Sequence, residues 1–97
     1  MDFTDFQNEL VSKKPPINWP EALKAMWYDA LGDWEASHDI AQDMPNALGS
    51  WIHAFLHRKE GDDWNAGYWY RQAGKSSPNT SLEEEHREIV DYVLSKQ

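Results

Sequence analysis

The chain has 97 residues, 40% hydrophobic and 27% charged, which is the composition of one folded domain with a modest core. Seventeen acidic residues against nine basic ones leave a net charge of −8, which argues against nucleic acid and anionic membranes as partners. Cysteine is absent, excluding disulfides, thiolate chemistry and cysteine-ligated zinc, and with no leader-like opening and no long apolar run the expectation is a cytoplasmic protein.

In chain order every periodic segment reads as helix. Phe3, Phe6, Leu10 and Val11 fall at i, i+3, i+7 and i+8, a short amphipathic helix stopped by Pro15-Pro16. Asn18 is expected to cap the second helix in a box with Glu21, with Pro20 in its first turn and Ile17 stapled near Ala22. Its apolar stripe is Leu23, Met26, Trp27, Ala30 and Leu31, and Gly32 ends it. Asp33 caps a third helix with Trp34, Ser37, His38 and Ala41 on one side, followed by a turn at Met44-Pro45-Asn46. A fourth helix clusters Leu48, Trp51, Ile52, Phe55 and Leu56, and Gly61 closes it. Asp62 caps a fifth, running to Ala73 with Gly74 beyond. After the loop KSSPNTS, Ser81 and Glu84 form a capping box, and Leu82, Ile89, Val90, Val93 and Leu94 define the last helix. Its early Glu83-Glu84-Glu85 and late Lys96 suit the helix dipole. The expectation is all-α: a compact bundle of five to six short helices in a single domain, residues 1–97.

The two middle hairpins echo each other. Superposing Gly32-Asp33 on Gly61-Asp62, 29 residues apart, sets Ala25 on Ala54, Ser37 on Ala66 and Ala41 on Tyr70 without a gap. A helix, a Gly-Asp turn and a second helix with a small residue four positions after the Asp is similar to a tetratricopeptide hairpin, most of all in WYDALGDWEASHDIAQDMP. The period falls short of the roughly 34 residues of such repeats, so the expectation is two central antiparallel hairpins that share a packing mode.

The stretch WIHAFLHRKEGDDWNAGYWYRQAG, Trp51 to Gly74, holds three of the six tryptophans, two of the four histidines and two of the three arginines. Six tryptophans in so short a chain read mostly as core, each able to bury roughly 150–250 Å². His53 and His57 stand at i, i+4 on one helix face, with Glu60 three residues further on. Two imidazoles at that spacing can share a metal, with a third ligand from Glu60 or from His38 on the preceding helix. The glutamate of the HExxH metalloprotease pattern is missing, since Ala54 follows His53. The competing reading makes both histidines polar residues on a wet or half-buried face, bonded to neighbouring carboxylates. His86 reads as part of a solvated or half-buried helix face.

On the fifth helix Trp64, Tyr68, Trp69 and Tyr70 spread around most of the circumference, with Arg71 beside them. Such a helix is central to the bundle, or it faces a groove, a ligand or a second subunit. His53, His57, Arg58 and Arg71 together suit an anionic or carboxylate group. The alternative is that Arg58 and Arg71 bridge to Glu60, Asp62, Asp63 or Glu35 and tie the hairpins together. Glycine-rich phosphate loops and the GxSxG elbow are absent.

The block HRKEGDDWNAGYWYRQAG, His57 to Gly74, resembles the signature of a family of short, uncharacterised bacterial all-α proteins, and GDWEASHDIAQ, Gly32 to Gln42, resembles an upstream block in the same proteins. The resemblance implies a small helical domain and carries no activity, cofactor or partner with it. The functional expectation is a non-enzymatic binding or interaction module, for a protein or small-molecule partner, using the surface of His53, His57, Arg58, Trp64, Tyr68 and Arg71. Nothing in the sequence requires a cofactor. The first alternative is a metal-binding protein or metal-dependent enzyme using His53 and His57, helped by His38 or Glu60. The second is a structural homo-oligomer, such as a homodimer, with the aromatic helix as its interface.

Overall fold

The computed structural model describes residues 1–97, and every regular element in it is helical. The elements are α1 (Phe3–Asn8, tightening into a 3-10 turn over Glu9–Val11), α2 (Glu21–Ala30), α3 (Trp34–Asp43), α4 (Ala47–Lys59), α5 (Asp63–Gln72) and α6 (Leu82–Ser95). No helix is long and apolar enough to cross a membrane.

The two hairpins, α2–α3 and α4–α5, are built by the same turn. Gly32 and Gly61 sit in the left-handed region at φ 81° and 87°, where a Cβ would strain the backbone. The N–H of the following aspartate donates to a carbonyl five residues back, Asp33 to Tyr28 and Asp62 to His57, both at 2.9 Å. Each aspartate carboxylate then accepts the N–H of the third residue of the next helix, Ala36 and Asn65. One helix is therefore closed and the next opened within three residues. The echoed positions Ala25, Ala54, Ser37, Ala66, Ala41 and Tyr70 are all buried. The Ser37 hydroxyl satisfies itself there by donating to the Ala25 carbonyl at 2.7 Å.

The central helix is α4, in which Trp51 to Leu56 are all buried. It packs on α3, α5, α6 and α2. Its entry is tight: a Cβ on Gly49 would lie 2.5 Å from the Met44 Cβ and 2.7 Å from the Met44 carbonyl. The aromatic helix α5 buries only Ala66 and Tyr70, so it is a flank of the bundle and not its centre. Leu23, Met26, Trp27, Phe6, Ile89, Val90 and Val93 complete the core with α4. The radius of gyration, 12.4 Å, matches the roughly 12–13 Å of a compact domain this long.

Three local expectations fail, each for a physical reason. Glu21 opens α2 directly behind Pro20, whose fixed φ of −64° and missing N–H suit that place. Asn18 is thereby left two residues outside the helix, no box with Glu21 forms, and Ile17 is 92% exposed instead of stapled onto Ala22. Leu23, Met26 and Trp27 face inward as expected, but the buried face of α2 continues through Ala22, Ala25 and Asp29, so Ala30 and Leu31 turn to solvent. At the other end, α1 is opened by a reciprocal box in which Asp5 N–H donates to Asp2 and Asp2 N–H to Asp5.

Candidate metal centre

Three of the four histidines meet at the seam between the hairpins. His53 and His57 project from one face of α4, and His38 reaches them from α3 across the close packing that Gly49 permits. The Nε2 atoms of His38 and His53 are 2.9 Å apart, so one carries the shared proton and the other accepts it. One ring nitrogen from each of His38, His53 and His57 lies within 4.8 Å of the other two. His53 is 6% exposed, while His38 and His57 are half-buried at the edge.

Two tryptophans wall the cluster. The Trp69 ring stacks on His53 with centroids 4.0 Å apart and planes at 14°. Trp34 stacks on His38 at 4.7 Å and meets His57 edge-on at 5.8 Å. Trp34 is pinned in turn, its Nε1–H donating to the Leu56 carbonyl at 2.7 Å. The walls have an electrostatic consequence. Burial, with His38 and His57 as neighbours, pushes His53 from 6.5 down to about 4. Burial, and then His57, also lowers His38, against the opposing pull of Asp39 and Glu60. Both rings are neutral near pH 7, which is the form in which imidazole binds a metal.

His57 is oriented from behind. Its Nδ1–H donates to Glu60 Oε2 at 2.7 Å, which leaves Nε2 for an ion. A carboxylate on the far nitrogen of a liganding histidine fixes the tautomer and raises its basicity. Asp62 stands near the same ring, but its carboxylate is engaged by Asn65 as the cap of α5. In a tetrahedral site with bonds of about 2.0–2.1 Å, the ligand nitrogens stand about 3.3 Å apart. His38 and His53 would hold an ion there only after separating slightly, with the proton they share on an Nδ1 instead.

The other expected site residues diverge from this cluster. Arg58, one position on from His57, turns toward α6 and donates to Glu85 Oε1 at 2.7 Å and to the Thr80 carbonyl. It pairs with none of Glu60, Asp62, Asp63 or Glu35. Trp64 is 78% exposed, Tyr68 lies half out with its ring edge-on to Trp69, and Arg71 is exposed without an ion pair. Trp64, Tyr68 and Arg71 share the outward face of α5, and their aromatic neighbour Trp69 is their one link to the histidines.

Two buried carboxylates were not read as site or core residues from the sequence. Glu85 accepts hydrogen bonds from Arg58, from the Tyr70 hydroxyl at 2.7 Å and from Trp51 Nε1 at 3.1 Å. Burial and the Glu85 carboxylate raise the Tyr70 hydroxyl far above its ordinary value, so it stays a donor. Asp29 accepts from Lys59 Nζ at 2.8 Å and from His86 Nδ1 at 2.7 Å. Burial pushes Asp29 up, but the hydrogen bonds from His86 and Lys59 outweigh it and hold its carboxyl below the usual value. The signal was their placement: Asp29 stands three after Met26, and Glu85 three after Leu82 and four before Ile89, on the apolar faces of their helices.

No family model, curated protein or solved structure matches the chain. The site is therefore read from its own geometry.

Proposed function

We propose that the protein is a small helical module that binds a divalent transition metal through His38, His53 and His57, with Glu60 orienting His57. One observation carries this reading: three imidazole nitrogens from two helices lie within 4.8 Å of one another. Neutral imidazoles suit Zn²⁺, Cu²⁺, Fe²⁺ and Ni²⁺. Three protein ligands with a fourth position for water match the zinc sites that polarise a bound water or substrate oxygen. The aromatic walls support the same reading, since they hold the rings in place before an ion arrives.

The test is isothermal titration with zinc of tag-free, chelator-treated protein. One ion per chain is expected, with affinity reduced at least a hundredfold in His53→Ala and at least tenfold in Glu60→Gln. Wild-type binding no tighter than that of the His53→Ala variant would defeat the reading.

A second reading is supported by the outward face of α5, where Trp64, Tyr68 and Arg71 lie exposed along one line. It makes that face a contact for a protein partner or a second copy of the chain. Sedimentation equilibrium across a concentration series tests the second copy: self-association lost in Trp64→Ser supports it, and a concentration-independent monomer removes it.

A further inference from the structure

A cleft of about 680 Å³ opens on the side of α4 turned away from the histidines. Phe55 and Lys59 line it, each two positions on from a liganding histidine and so about 200° around the helix. The remaining walls come from α1, the end of α2 and the first turns of α6.

Half of its lining is apolar and half polar or charged. Phe3 and Phe6 stack at 5.8 Å and Phe6 stacks in turn on Trp19 at 5.7 Å; the buried Phe6 and Phe55 back the apolar half, and Phe3, Leu10, Ala30 and Leu82 present its surface. Into this wall the fold sets Asp29, with His86 and Lys59 bonded to its two oxygens. Both oxygens of that buried carboxylate are engaged, so the hydrogen-bonding capacity left at the cleft is mostly donor. Lys59 has two of its three N–H groups remaining after the bond to Asp29. The Arg87 guanidinium lies 4.5 Å above the Phe3 ring, and only its Nε is engaged, at 3.5 Å from Asp91. Glu83, the other acid of the lining, is solvent-exposed in the first turn of α6.

From this geometry we propose a second, independent site: the cleft binds a monocarboxylate with an apolar body, the body lying on Phe3, Leu10, Ala30 and Leu82 and the carboxylate taken by Lys59 and Arg87. An apolar cavity with a few convergent polar groups is the usual form of a small-molecule site. Here those groups set the sign of the charge: unused lysine and guanidinium donors select an anion, and an arginine can grip a carboxylate through two parallel N–H groups. A neutral ligand would leave these donors unused, and a cationic one would face Lys59 and Arg87.

The experiment is a ¹H–¹⁵N NMR titration of the full chain with sodium octanoate, octanamide and octylammonium chloride in parallel. Octanoate is expected to shift the amides of Gln7, Leu10, Ala30 and Leu82 in a saturable way and to bind about tenfold more tightly than octanamide. Arg87→Gln, at an exposed position that leaves folding intact, is expected to remove most of that difference while octanamide binding stays unchanged. Zinc added beforehand is expected to leave the titration as it was, because the two sites lie on opposite faces of α4. Equal affinity for acid and amide, preference for the amine, or an unchanged Arg87→Gln titration each overturns the proposal, as does the absence of saturable shifts at those four amides.

Discussion

The two groups of polar side chains that pack against α4 on different sides are opposites in how fully their hydrogen bonding is used. Around Glu85, a carboxylate that is 1% exposed receives donors from Arg58, Tyr70 and Trp51, and every partner comes from a different turn or helix. Around His53, one proton lies between the facing nitrogens of His38 and His53, His57 stands beside them, and the Glu60 carboxylate binds His57 from outside. The first group closes on itself: donors and acceptor balance, and the result is a clamp between α4, α5 and α6. The second gathers lone pairs in excess of protons, which is a poor way to stabilise a fold and a good way to receive a cation. Buried polarity by itself marks neither structure nor function; the balance of donors and acceptors separates them.

The contrast can be broken most forcefully at the clamp. Glu85→Ala leaves Arg58 half-buried without its counter-charge, and removing one partner of such a pair costs about 3–5 kcal/mol. Urea denaturation is expected to show a loss of that size, a large part of the stability of a 97-residue domain. A loss below about 1 kcal/mol would mean that the clamp is decorative.

Acid sharpens the contrast from the other side. His53 ionises at about 4 in the folded protein and at 6.5 in the unfolded chain. Between those values the unfolded chain holds a proton that the folded one does not, so falling pH favours unfolding. The stability is fully present above pH 6.5 and is lost progressively toward pH 4, by an amount on the order of 3 kcal/mol. Metal-free His53→Gln should lose correspondingly less between pH 7 and pH 4 in denaturant titrations. Parallel profiles for the two proteins would show that the histidine is not held neutral by its surroundings.

A smaller effect is expected from Tyr70→Phe, which removes one donor from Glu85 but leaves Arg58 and Trp51 in place. Hydrogen bonds to a charged group are worth about 1.5–3 kcal/mol, so the shift in denaturation midpoint should be clear but less than that of Glu85→Ala. Smallest of all, Trp64→Ser on the open face of α5 should change stability by under about 0.5 kcal/mol, whatever it does to association.

Much of the architecture was legible because it rests on local chemistry. Gly32-Asp33 and Gly61-Asp62 each end one helix and cap the next with atoms from nine consecutive residues, so the sequence carries both turns whole. Ser81 and Glu84 form the expected box for the same reason. The Asn18 cap failed for a local reason, Pro20, but the other failures are long-range. Which face of α2 turns inward depends on Lys59 and His86, 30 and 57 residues away, which make the core position of Asp29 tenable. The role of Arg58 was open for a like reason, since its partner Glu85 stands 27 residues on. The histidines fall between these cases. The i, i+4 spacing gave His53 and His57 a common face, and His38 was within reach as a third ligand. That this face is buried under Trp69 follows from the packing of α5, which no local pattern carries.

The most direct test of the metal-binding account is the absorption spectrum of the chelator-treated protein titrated with Co²⁺. The account predicts one equivalent per chain, with intense visible bands of a four-coordinate nitrogen site that disappear when His53 or His38 is replaced by alanine. A spectrum no different from that of hexaaquo cobalt at pH 7.5 would contradict it and leave His38, His53 and His57 as a stacked aromatic seam between two hairpins.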